Sequence, residues 1–149
     1  MTDSGTPGSV YQWTIMGTPT PKGRPRMTRT GRSYTPAKTK KAERAVRILS
    51  AAYAPSAPLS GRLSVDLAFF FEPAKSWSKK KRAAALAGEL AHVTRPDIDN
   101  LIKLALDSLN GLAWIDDTQI DEIRATKGYS DRARTRFRIT TTTEKKGTA

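Results

Sequence analysis

The chain has 149 residues, 38% of them hydrophobic, and a formal net charge of +12. That length suits one domain with one core, and so large a cationic excess favours a polyanionic partner such as nucleic acid over charge kept for solubility alone. There is no cysteine and one histidine, His92, which excludes disulfides, thiolate metal sites and His-rich zinc sites; a metal here would be held by oxygen, as Mg²⁺, Mn²⁺ or Ca²⁺ are.

Residues 1–9 are small and polar and read as a disordered tail ahead of a domain spanning 10–143. Val10–Met16 reads as a strand with Tyr11, Trp13 and Ile15 on one face. Gly17–Thr35 reads as one long loop carrying Lys22, Arg24, Arg26, Arg29 and Arg32, and a loop of that length is usually functional or mobile. Thr35 is placed to cap a helix with Pro36 at its first position, running to about Tyr53. From Lys22 to Arg47, Lys38 included, ten bases accompany one acid, Glu43.

Leu63, Val65, Leu67, Phe69 and Phe71 alternate strictly, which marks a strand with one buried face. Ser78 caps a short helix expected to reach about Ala91. Its first turn holds Lys79, Lys80, Lys81 and Arg82, against the preference of the helix dipole, which hints at a use for these charges. Ile120–Tyr129 and Ala133–Thr143 read as the last two strands, the second with Thr135, Phe137 and Ile139 on one face and Arg134, Arg136 and Arg138 on the other. That arginine row is a phosphate-contacting surface or a solvated outer face. The tail from Glu144 is expected to fray. No signal-peptide pattern opens the chain, and runs such as Leu67–Phe71 are far shorter than the ~20 residues that span a bilayer.

Between Asp97 and Glu122 lie seven of the 14 carboxylates (Asp97, Asp99, Asp107, Asp116, Asp117, Asp121 and Glu122) and one base, Lys103. Residues 101–110 read as a helix with Asp99 or Asn100 as cap and Gly111 just past its end. At about 100° per residue, Asp99, Asn110, Lys103, Asp107 and Asn100 fall in one narrow stripe on a helix that is otherwise apolar, so burial on nearly every side is expected. Singly, each acid has a plain structural reading: Asp97 and Asp99 as helix caps, Asp116 and Asp117 as turn residues, Lys103 as a helical ion-pair partner of Asp99 or Asp107. Together they suit phosphodiester hydrolysis, in which two Mg²⁺ ions about 4 Å apart activate water and neutralise charge. Pro96-Asp97 could open a PD…(D/E)xK nuclease motif, but Glu122 is followed by Ile123-Arg124 and the second half is missing.

Residues 95–120, RPDIDNLIKLALDSLNGLAWIDDTQI, resemble the RusA family of Holliday-junction resolvases. The family signature is D-x-D-N with a lysine three residues on, D-x-L within the helix, and D-D-x-Q-[IV] after a short turn. Asp97, Asp99, Asn100, Lys103, Asp107, Leu109, Asp116, Asp117, Gln119 and Ile120 supply every element. Pro21–Arg26, Ser33–Pro36 and Ser76–Arg82 look like the phage and Gram-positive members. One departure is Pro96, where some members carry arginine. The resemblance implies an α+β domain with a small mixed sheet and packed helices. It implies a homodimeric, Mg²⁺-dependent endodeoxyribonuclease, with Mn²⁺ as a substitute, that resolves four-way junctions by paired nicks in DNA recombination and repair. It further implies a cytoplasmic setting in a bacterium or a phage-infected cell. Carried over, Asp97, Asp99 and Asp117 are catalytic metal ligands, Asp116 supports them, and Lys103 is the essential lysine. Lys22, Arg24, Arg26, Arg29, Arg32, Lys38, Lys79, Lys80, Arg134 and Arg136 are the expected DNA contacts. A non-catalytic basic DNA- or RNA-binding module, or a nuclease for other branched DNA, are the competing readings.

Overall fold

The computed structural model describes residues 8–142; the expected tails, apart from Gly8 and Ser9, lie outside them. Four strands form one mixed sheet: β1 (Val10–Met16), β4 (Leu63–Phe71), β5 (Ile120–Tyr129) and β6 (Arg134–Thr141), in the order β1-β6-β4-β5. β6 runs antiparallel to both β1 and β4, while β4 and β5 are parallel. Three helices accompany it: α1 (Ala37–Ser50), α2 (Lys79–Leu86) and α3 (Ile98–Leu109). This is the expected small α+β domain. No helix among the described residues is long and apolar enough to cross a membrane.

The alternation in β4 buries Leu63, Val65, Leu67, Phe69 and Phe71, which meet Trp13 and Ile15 of β1, Phe137 and Ile139 of β6, and Leu101, Ala105 and Leu109 of α3. Each such side chain contributes about 1.5–3 kcal/mol when fully buried. The heavy apolar load on one sheet face draws α1 and α3 onto that face, where they also pack on each other. The opposite face carries Gln12, Asp66, Arg124, Thr126, Arg136 and Arg138 around an open groove.

Several expected boundaries move. The loop 17–35 is not structureless: Arg26–Met27 (β2) and Ser33–Tyr34 (β3) pair as a small antiparallel hairpin. Two-residue strands have no alternation to betray them. Pro36, not Thr35, precedes the first turn of α1, without a side-chain cap, and the helix ends at Ser50 rather than Tyr53. Ser50 is buried there and its Oγ accepts from the Trp13 indole at 3.0 Å. Ser78 caps α2 as expected, its Oγ accepting from Lys81 N at 3.2 Å. That helix stops at Leu86 because Gly88 takes φ +79°, a left-handed turn favourable only for glycine, and Glu89 N closes back on Ala84 O at 3.0 Å. The Lys81 ammonium lies 4.0 Å from the Trp77 ring centre, a cation–π contact that offsets part of the cost of the cationic first turn. The last strand begins at Arg134 and ends at Thr141, slightly inside the expected span.

Candidate active site

α3 starts at Ile98, three residues ahead of the Leu101 start that its composition predicts. Asp97 is its N-cap residue, with extended backbone (φ −68°, ψ 138°), and its carboxylate makes no capping hydrogen bond. Asp99 therefore sits in the first turn, where the helix dipole favours an acid. Leu101, Leu104, Ala105, Ser108 and Leu109 form the buried side, while Ile98, Ile102 and Leu106 are only half-buried. The acidic stripe thus faces solvent, correcting the expectation that burial would surround it. The side chains of Asp99 and Lys103 are 66% and 63% exposed and pair loosely at 3.9 Å. Lys103 is partnered with Asp99 and not with Asp107.

Asp107 is held from the far end of the sequence. The Lys22 ammonium donates to Asp107 Oδ2 and approaches Glu43 Oε1 of α1 at 3.5 Å. The bond to Asp107 is the main reason the Lys22 ammonium titrates above its ordinary range. Beside it, Lys22 N donates to Asn100 O at 2.9 Å and Gly23 N to the buried Thr39 Oγ1 at 3.0 Å. These bonds strap the base of the cationic loop across α1 and α3. Beyond the strap, Arg24, Arg26, Arg29 and Arg32 are exposed and make no ion pair among the described residues. A shallow open pocket lined by Lys22, Arg24, Arg95, Pro96, Asp97 and Asn100 lies between this loop and the start of α3.

The second acidic element is a short turn after Trp114. Asp116 caps a 3₁₀ turn at Asp117–Gln119 in a reciprocal box: its carboxylate accepts from Thr118 N at 3.4 Å, and Gln119 Oε1 accepts from Asp116 N at 2.9 Å. Gln119 Nε2 donates to Leu59 O at 3.0 Å and Gly61 O at 2.8 Å, fastening the turn to the chain entering β4. The glutamine of the D-D-x-Q motif therefore works as a clamp that orients the acids. The Asp116 and Asp117 carboxyl groups interact side chain to side chain as a hydrogen-bonding pair. That bond pushes Asp117 above the ordinary carboxylate range, helped by partial burial and by the nearby charges of Asp116 and Asp107. The same bond, with Thr118 N, holds Asp116 below that range. Asp107 of α3 and the Asp116–Asp117 turn thus belong to one electrostatic neighbourhood.

Among the described residues no three His, Cys, Asp or Glu side chains are gathered into a ready-made metal cage. The donor chemistry still suits a hard divalent cation. Every candidate ligand is a carboxylate oxygen, the Asp97 carboxylate makes no capping bond, and the crowding that pushes Asp117 above the ordinary carboxylate range would be relieved by a bound cation.

The other predicted contacts are dispersed. Lys38 is exposed in the first turn of α1, and Lys79 and Lys80 in that of α2. Arg134 is tied to Ser130 Oγ at 2.7 Å and stacks on Phe70, 4.5 Å from its centre; Arg136 lies over the same ring at 6.0 Å. Two functional candidates escape motif reading. Arg47 Nη1 donates to Asn110 O at 2.9 Å and Ser108 O at 3.3 Å, serving the C-terminal carbonyls of α3. Lys127 of β5 donates to Thr94 O at 2.7 Å and Pro96 O at 3.0 Å, immediately before Asp97. Its alternation with Ala125 and Tyr129, which puts a lysine on the core-facing row, was the available signal.

The family model described as "Endodeoxyribonuclease RusA" matches residues 16–140. The chain is also similar to a Bacillus subtilis (strain 168) protein, "Uncharacterized protein YqaN": 34% identical over 133 residues, covering 86% of this chain and 94% of that one. The motif at Asp97–Asn100, the clamped Asp116–Asp117 turn and the match across the sheet and helices agree that the chain belongs to the RusA endodeoxyribonuclease family.

Proposed function

We propose that this protein is a Mg²⁺-dependent endodeoxyribonuclease, able to use Mn²⁺, that acts as a homodimer and resolves four-way DNA junctions by paired symmetric nicks. The supporting observation is the family match over residues 16–140, in a chain that keeps both acidic elements of the motif, Asp97/Asp99 and Asp116/Asp117. Asp97, Asp99 and Asp117 would hold the metal, with Asp116 orienting Asp117. When bound, the metal supplies an activated water and charge neutralisation at the phosphodiester.

The remaining work falls to side chains of the chain itself. Lys103, loosely tethered to Asp99, offers a positive charge to the phosphate oxygens as negative charge builds on them. Arg24, Arg26, Arg29 and Arg32 on the hairpin arm, Lys38, Lys79, Lys80, Arg134 and Arg136 bind the backbone of the DNA arms. Lys22, committed to Asp107 and Glu43, holds that arm in place. A two-fold pair of subunits sets two like sites against strands of opposite polarity, which symmetric nicking needs.

The test is a labelled four-way junction assayed for binding and cleavage with Asp97→Asn, Asp99→Asn and Asp117→Asn. Each should abolish cutting while binding is kept or tightened, since a negative charge near phosphate is lost along with a ligand. Collapse of binding together with cleavage in all three would make the acids structural and favour a non-catalytic DNA-binding module.

A further inference from the structure

We propose that Lys127 is a positioning residue for the Asp97 carboxylate, a role that rests on the reading of Asp97 as a metal ligand. Lys127 lies in β5 opposite Phe69 of β4, in the row with Ala125 and Tyr129 that faces the helices. A lysine in such a row is costly to desolvate unless its ammonium is well bonded. Its donors meet two main-chain carbonyls, Thr94 O at 2.7 Å and Pro96 O at 3.0 Å, and no carboxylate lies within ion-pair distance among the described residues.

Those two carbonyls lie just upstream of Asp97 in the chain. Pro96 O belongs to the rigid peptide plane that ends in the nitrogen of Asp97, so holding that oxygen orients the Asp97 backbone. On its other side, Asp97 O accepts from Leu101 N at 3.2 Å as the first bond of α3. The residue is thus fixed through its backbone at both ends while its carboxylate makes no capping bond. Upstream, the buried His92 ring packs between Phe71 and Tyr129, with ring centres 4.6 and 4.8 Å away, and secures the start of the same segment. Lys127 is the one side chain that fastens the stretch between His92 and Asp97 to the sheet, among the hydrogen bonds of the described residues. Metal ligands need to be held to within about 0.5 Å, and a side chain with no partner of its own inherits its placement from the backbone.

The experiment compares the full-length protein with Lys127→Met and Lys127→Arg. Mn²⁺ affinity is read by electron paramagnetic resonance on the protein alone, junction affinity by mobility shift without divalent metal, and kcat and KM by cleavage. Loss of a group that orients a ligand should weaken Mn²⁺ binding and lower kcat by roughly 10–100-fold. Junction affinity should hold, and Lys127→Arg, which still donates to carbonyls, should recover most of both losses. A folded Lys127→Met with unchanged Mn²⁺ affinity and kcat overturns the proposal, as does a parallel loss of junction affinity, Mn²⁺ affinity and thermal stability that Arg does not repair. Should the Met variant fail to fold, Lys127→Gln is read by the same criteria. Asp97→Asn run alongside separates the two ideas: if that variant keeps Mn²⁺ affinity and turnover, it is the site reading that fails.

Discussion

Gly23 sits where the cationic arm is strapped to α1, and replacing it by alanine should loosen the strap through one contact. A Cβ at this position would lie 2.7 Å from Thr39 Oγ1 and 3.4 Å from Pro36 Cγ. Thr39 cannot swing aside cheaply: it is 2% exposed, sits in the first turns of α1, and is β-branched with a stiff χ1. Overpacking of this kind costs about 1–3 kcal/mol. The Gly23 backbone is not in the left-handed region, so alanine also restricts the unfolded chain and returns about 0.4–1 kcal/mol. The net expectation is a loss centred on about 1.3 kcal/mol within a span of about 0–2.6, or roughly 3–5 °C in Tm at the centre for a domain of this size. A double-mutant cycle isolates the cause. Thr39→Ala loses the bond from Gly23 N and so destabilises by itself, but in its background Gly23→Ala meets only the ordinary contact with Pro36. There Gly23→Ala should be neutral or stabilising. Thermal unfolding of the four proteins reads this directly. An equal penalty in both backgrounds would refute the reasoning, because the clash would then not be with Thr39.

Three further outcomes are expected. His92 is the only histidine, so its ring proton resonances can be followed by NMR without assignment. Burial, then the Lys127 charge, lowers its pKa, so it should titrate below the ordinary value of about 6.5. The folded state then binds fewer protons than the unfolded one below that pH; the stabilisation is complete above it and declines as pH falls towards the folded value. A titration at or above the ordinary value contradicts the packing described around it. Lys22 has the opposite sign: its pKa is raised by Asp107, so the strap should hold through neutral pH and weaken only in alkali, as pH passes the ordinary lysine range of about 10.4. Asp107→Asn should remove most of that alkaline dependence from the melting curve, Glu43 keeping the smaller remainder. For DNA binding, six to eight phosphate contacts would give log affinity against log salt a slope of roughly −0.9 per contact; a slope near zero is inconsistent with the assigned cations.

Much of the fold was legible in strict local patterns. The Leu63–Phe71 alternation gave β4 and its buried face without displacement, and Ser78 gave the start of α2. The acid pairs were legible because their identity and spacing are a motif, whatever their surroundings. What escaped depends on residues far apart in sequence. The partner of Asp107 is Lys22, 85 positions away, and helical spacing offered only Lys103. Gln119 clamps carbonyls about 60 residues earlier, and Lys127 holds two more about 30 residues earlier. Backbone acceptors leave no mark in sequence, so such bonds can be read only once the fold brings them together. The exposure of the acidic stripe was hidden for a similar reason. Ile98, Ile102 and Leu106 look like core residues, but α3 lies beside β5 at the end of the sheet, and no element covers its outer side among the described residues.

The central claim is that this chain cuts branched DNA with a divalent metal held by its aspartates. A synthetic four-way junction and a linear duplex of equal composition, each incubated with the protein with and without Mg²⁺ and run on a denaturing gel, test it most directly. Paired nicks, dependent on Mg²⁺, are expected on the junction and not on the duplex. Tight binding to the junction with no cleavage under any divalent ion would contradict it.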